Sequence, residues 1–535
     1  LTEVSRATKI ARGATYLFMQ SLLAQVIGVV YFMFLTRFFP VVNPEAGSPK
    51  MGVFQFMNFI VVLSNILGAL ALPSAAAKYI PQYLAKNEKK KANSVAVRHF
   101  QVALITATTI SLTVFLSSDL LATTFFGNSE WVPPEQVSVL LKITSLSCFL
   151  TNIMSFLSGA LLGLKKIGEL ALINLTFNVL QSFLVIALLF FGFDLFAVPI
   201  GWSLGMVVAA MLGAAIVLRN FTLKGKPHPL KPLLSFSLPL YVSAVLTFTI
   251  NWVDQIFIFS IINPGVFGMY SVIIKAALIP SLIALSIVMA IFPHLSESYA
   301  KEGIGSLEAA FSFSTRYAVA IGFPMVVGIS LIAQPSLVLF AGASYKPMTP
   351  YLVLLAFATI PTILGVAIRP ILLTLGRSRT VSLIIMASIV FEALTCYVTI
   401  VTLGWGVLGA TIGRMLAALA NFALGIYVLK KQITLNFDKD VLWKTTVSCG
   451  AMAAFLLLLD VFRMQVTGSR EFLVFRLHLL PFYIILGTLV YATTLFMLRT
   501  IKRTDLELLR EYLPGKLRRT VDLVERIFPV NNGED

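Results

Sequence analysis

The sequence predicts an all-α polytopic membrane protein with fourteen transmembrane helices. Three observations predict it: fourteen long apolar runs, a lopsided placement of basic residues on alternate loops, and an internal repeat. With 58% hydrophobic residues over 535 positions and a mean hydropathy of +0.89, the chain fits no soluble class. A run of ~20 apolar residues crosses a hydrocarbon core as a helix.

In order, the spans are expected near 13–39, 52–84, 99–119, 139–163, 169–191 and 197–218, then near 234–262, 268–296, 312–340, 351–374, 380–403 and 405–429. Two more follow near 441–462 and 472–499. The first residues, LTEVSRATKIARGATYLF, run straight into the first span without the small-residue site of a cleaved leader.

Loops on one side, with both ends of the chain, hold 30 lysines and arginines; the other side holds only Lys50, Lys346, Arg463 and Arg470. The positive-inside bias reads this as both termini in the cytoplasm of a multi-pass protein of the cell membrane. The formal charge of +17 is therefore mostly a topology signal, dispersed over short loops, and nucleic acid is not an expected partner.

The repeat relates the fourth to sixth spans to the tenth to twelfth. Leu164 falls on Leu375, then Gly192 on Gly404, Gly201 on Gly413 and Gly213 on Gly425. Both copies read as a span, a basic turn (GLKKIG, TLGRSRT), a span, a tight turn and a small-residue span. An even number of intervening spans gives the two halves the same orientation, related by an axis along the membrane normal. The expected organisation is a six-helix lobe over 1–218, a cytoplasmic linker over 219–233, a second six-helix lobe over 234–430, two additional helices over 431–499, and a cytoplasmic amphipathic tail over 500–535. Pro227, Pro229 and Pro232 keep the linker extended, and Leu513, Leu517, Val521, Val524 and Phe528 give the tail an apolar face for anionic lipid.

With Arg316, Lys444 and Arg499, near span ends, counted among the loop residues, seven basic residues fall inside spans: Arg37, Lys78, Lys142, Lys275, Arg369, Arg414 and Arg476. The acids Asp254 and Glu392 lie equally deep. A charge at the bilayer centre costs about 2.5–3.5 kcal/mol even on insertion scales, so such residues face a cavity or a partner. Arg37, Lys142, Arg476 and Lys78 lie near span ends, where side chains snorkel. Asp254 with Lys275, and Glu392 with Arg414, bracket their turns at matching depth, so each hairpin can hold an ion pair, either structural or coupled to a cation.

Cys148, Cys396 and Cys449 show no paired spacing, the four histidines are scattered, and no phosphate-binding glycine loop occurs. No catalytic residue, metal site or cofactor is expected, and the chain is not expected to be an enzyme.

The doubled six-span lobe, Pro239 in SFSLPLYVS, the segments GVFGMYSVIIKAALIP and IFPHLSESYAKEG, and the repeated basic turns resemble the multidrug/oligosaccharidyl-lipid/polysaccharide (MOP) exporter superfamily, in its polysaccharide (O-antigen type) flippase branch. The resemblance implies a V-shaped, MATE-like pair of lobes that moves a polyprenyl-(pyro)phosphate-linked oligosaccharide outward by alternating access. It makes Lys275, Arg369 and Arg414 the first candidates for the anionic headgroup, and Arg37 and Lys78 the second. Asp254 and Glu392 become the groups for coupling to a Na+ or H+ gradient, or a structural pair. Implied partners are the lipid-linked oligosaccharide, membrane lipids, and glycan polymerase or transferase proteins. Three readings are weighed against it: a cation-coupled multidrug antiporter, a lipid II flippase, and a non-transport scaffold for glycan assembly.

Overall fold

The computed structural model describes residues 3–43, 45–127, 129–286, 299, 301–467 and 480–500. Arg476, His294, His478, the 501–535 tail, and parts of the eighth and fourteenth spans lie outside them. Among the described residues the architecture is helical, and the only extended pairing is an isolated bridge between Asn43 and Gly47. Among the described residues thirteen helices are long and apolar enough to cross a membrane, and there is a shorter apolar stretch at Leu23–Phe38.

The first helices are α1 (Glu3–Phe38), α2 (Pro49–Ala69), α3 (Leu72–Ala85), α4 (Lys89–Phe126), α5 (Pro134–Gly163), α6 (Ile167–Phe190) and α7 (Ala197–Leu218). After the linker come α8 (Leu230–Phe257), α9 (Pro264–Ala277), α10 (Ile304–Leu331) and α11 (Ala333–Ala341). The series ends with α12 (Thr349–Ala358), α13 (Ile360–Leu364), α14 (Ile368–Thr374), α15 (Ser378–Cys396), α16 (Gly406–Lys430), α17 (Lys439–Thr467) and α18 (Leu480–Met497). The segments Ile258–Ile262 and Tyr397–Thr402 close α8 and α15 with π-helical turns.

Several runs that read as continuous spans are broken, the second and the tenth among them. The second breaks at Leu70 and Ala71, both left-handed (φ 47° and 52°), before α3 restarts with Pro73 in its first turn. Proline disfavours the helical conformation of the residue before it, and its missing N–H is no loss in a first turn. The freed Gly68 carbonyl accepts from Thr106 Oγ1 of α4 at 2.9 Å. The tenth run becomes α12, α13 and α14, with Pro361 opening α13 and Pro370 in the first turns of α14.

By packing, the described residues form two compact units. The first takes those of Leu1–Val272, Phe340–Ser344 and Ile400–Ala410; the second takes the rest. Within the first, α3, α4 and α5 meet through Ala75, Ala76, Ala92, Ala96 and Ala160, all buried. Small residues let helix backbones approach closely where no water-driven force favours association. Within the second, α17 and α18 pack on α10, with Tyr491 Oη donating to the Ala320 carbonyl at 2.6 Å and Arg316 Nη2 to the Thr500 carbonyl at 3.1 Å.

The linker is extended and docks on the start of α4. His228 N donates to the Ser94 carbonyl at 3.0 Å, and Arg98 Nε to the His228 carbonyl at 2.7 Å. Asn93 bridges two more main-chain groups, donating through Nδ2 to the Lys224 carbonyl and accepting at Oδ1 from Thr222 N.

Candidate functional site

Asp254 sits on α8 and is fully buried within the first unit. Tyr270 of α9 donates its hydroxyl to Asp254 Oδ2 at 2.8 Å, and Gln255 N donates to Oδ1 at 2.8 Å. A buried carboxylate needs donors, and a phenol supplies one without a second charge. Sequence reasoning named Asp254 but missed Tyr270, which lies in the GVFGMYSVIIK segment it had singled out. Lys275 lies five residues further along α9, in its last turn, and is exposed.

Glu392 is buried on α15 and Arg414 half-buried on α16, both in the second unit. Their helices meet beside Arg414: a Cβ on Gly413 would lie 2.5 Å from Cys396 Sγ and 3.7 Å from the Glu392 carbonyl. The close crossing places these two residues on adjoining helices, as their depth in the sequence suggests. Arg369, on α14 of the same unit, is exposed, and so is Arg37 in the last turn of α1.

Lys78 is exposed on α3, with Nζ 4.0 Å from the centre of the Phe236 ring of α8 and 5.3 Å from that of Tyr79. Among the described residues no carboxylate forms an ion pair with it. Aromatic faces attract a cation without neutralising it, so the ammonium keeps its charge for an incoming anion. Phe236 has no sequence signal beyond being apolar.

Lys142 is different. Its Nζ lies 3.0 Å from both carboxylate oxygens of Asp119 on α4, and Ser138 also donates to Asp119. This cation is already answered. Replacing Lys142 with alanine is expected to leave transport at the wild-type rate and to change stability by no more than ~1 kcal/mol, as for other exposed pairs. Flipping and melting assays on the same preparation check this.

Each unit thus supplies cationic side chains and a buried acid: Arg37 and Lys78 with Asp254 in the first, Lys275, Arg369 and Arg414 with Glu392 in the second. Residues 10–299 match the family described as polysaccharide biosynthesis protein. The chain belongs to that family.

Relatives of the family member include the probable low-salt glycan biosynthesis flippase Agl15 of Haloferax volcanii, 22% identical over 512 residues, covering 94% of this chain and 99% of the relative. The lipid II flippase MurJ of Bacillus subtilis is 23% identical over 379 residues, covering 63% of this chain and 67% of MurJ. In fold, the chain is similar to lipid II flippase MurJ in an inward closed conformation, with a TM-score of 0.70 at 15% identity over 89% of this chain and 97% of that one. It is also similar to an inward-facing multidrug resistance MATE transporter of the MOP superfamily, with a TM-score of 0.60 at 20% identity over 76% and 96%. The MATE-like, all-helical MOP architecture expected from the sequence is the one this family member adopts.

Proposed function

We propose that this protein is a flippase that carries a polyprenyl-(pyro)phosphate-linked oligosaccharide from the cytoplasmic to the outer face of the membrane by alternating access. One observation carries the reading: Lys78, exposed on α3 near the end of the second apolar run, rests its ammonium on aromatic rings, and among the described residues no carboxylate forms an ion pair with it. A phosphate headgroup is the ligand that such a charge fits, while the polyprenyl tail stays in lipid. The near full-length similarity to a probable glycan biosynthesis flippase supports the same cargo class. Lys78, Arg414, Lys275 and Arg369 are the assigned headgroup contacts, with Arg37 at the opposite end of its span. The positive-inside bias supports cytoplasmic termini, and Asp254 and Glu392 are assigned to cation coupling.

The test is thermal stability of the purified protein with polyprenyl pyrophosphate or with a lipophilic organic cation. A ligand that binds only the native state at about 100 times its Kd stabilises by roughly 2.7 kcal/mol. Stabilisation by the anionic lipid alone, reduced in Lys78→Ala and Arg414→Ala, is the expected result. Stabilisation by the organic cation alone would make the protein an antiporter.

A further inference from the structure

At the end of the helices that carries the 39–48 loop, the first compact unit is closed by main chain lying directly on main chain. The loop between α1 and α2 meets the turn between α8 and α9, and glycine stands at each point of contact. A Cβ on Gly52 would fall on the Pro264 carbonyl, and one on Gly265 would fall on the Ala46 carbonyl. One on Gly47 would lie 2.6 Å from Val266 N, and one on Gly268 would lie 2.8 Å from the Ser48 carbonyl. Only hydrogen fits at these four positions.

Hydrogen bonds cross the same seam, from Ser48 N to the Gly265 carbonyl at 3.1 Å and from Asn263 Nδ2 to the Glu45 carbonyl at 2.9 Å. Beneath it lies a plug of five phenylalanines from four helical segments. Phe259 stacks on Phe56 with ring centres 5.0 Å apart and planes 17° apart. Phe125, Phe126 and Phe267 surround Phe259 at 5.1, 5.8 and 5.1 Å. Hydrated sugars cannot pass such a plug without parting it. The moving side is stiff, because Tyr270 and Asp254 tie α9 to α8 just beyond the π-helical turn.

From this we infer that the glycine seam and the phenylalanine plug are the gate through which the substrate headgroup leaves. The inference rests on the flippase reading and adds the residues that open and close. No ion pair bridges the two faces of the seam among the residues named, and shape-matched backbone surfaces part and rejoin without a buried charge left stranded. The glycines set how tightly the closed state shuts, so side chains added there bias the gate open.

The test uses the full chain in vesicles with a cysteine reporter, Phe259→Cys, and a membrane-impermeant maleimide applied on the gate side. The reporter is expected to be protected with native glycines and to label about tenfold faster when Gly268→Leu is added. Equal labelling with and without Gly268→Leu, in protein that remains folded, overturns the proposal.

A second variant leaves every glycine in place. Ala46→Cys with Val266→Cys is bridged by a short cleavable dithiol reagent. Flipping of polyprenyl-pyrophosphate oligosaccharide is expected to stop on bridging and to return on cleavage. Full flipping in the bridged protein overturns the gate. The labelling arm contains no polyprenyl pyrophosphate, so a labelling contrast in a protein that binds no polyprenyl pyrophosphate would sink the flippase reading while the gate stands.

Discussion

Substituting Gly68 with valine is expected to destabilise the protein by about 2–6 kcal/mol, combining overpacking with stranded polar groups. The buried amide of Asn152 lies against this glycine: a Cβ there would sit 2.6 Å from Asn152 Cγ and 2.9 Å from Nδ2. That amide donates to the Cys148 carbonyl at 2.9 Å and to the Ser64 carbonyl and hydroxyl at 3.3 and 3.2 Å. A larger side chain must push it out and leave those acceptors without their donor. The effect should be read as loss of folded protein and a lower melting temperature. Gly28 provides the contrast, since nothing lies within 4 Å of a Cβ there. Gly28→Ala should be neutral or stabilising by up to ~1 kcal/mol, because glycine costs a helix interior about that much. Equal melting temperatures for Gly68→Val and Gly28→Ala would show that the Asn152 contact is slack.

The second large effect is on transport alone. Asp254→Asn is expected to cut flipping about tenfold or more in protein that still folds. Asparagine keeps one oxygen for the Tyr270 hydroxyl, gives up the second acceptor that Gln255 N uses, and can neither exchange a proton nor hold a cation as a carboxylate does. If the role were only to accept the Tyr270 bond, the asparagine variant would flip normally. Initial rates with and without a Na+ or H+ gradient, measured in vesicles, decide between these outcomes.

The all-helical, many-span character followed from hydropathy, and the distance of Asp254 along the chain from the Asn263–Gly265 turn could be counted. These signals are legible because lipid imposes them residue by residue. What stayed hidden depends on meetings between distant segments. Pro73 marked a disturbance in the second span, yet the break falls at Leu70 and Ala71, with Thr106 bonding the Gly68 carbonyl from α4. The charges of Lys78 and Lys142 looked alike in the sequence. Phe236 and Asp119, contributed by other helices, separate one from the other. Tyr270 was equally invisible, since nothing along α9 records which way its hydroxyl reaches.

The docked linker has a consequence for how this protein can vary. His228 engages α4 through its own N–H and carbonyl, Lys224 through its carbonyl and Thr222 through its N–H. Main-chain groups are common to nearly every amino acid, so exposed positions such as Lys224 and Lys226 should accept replacement, proline at a donating position excepted, whereas Phe221, buried in the core, and His228, whose Nε2 lies 3.1 Å from the Tyr83 hydroxyl, should not. Its length is another matter. One inserted or deleted residue shifts its donors and acceptors out of phase with Asn93, Ser94 and Arg98, so evolution and engineering alike are free to rewrite the strap's exposed side chains but not to re-cut it.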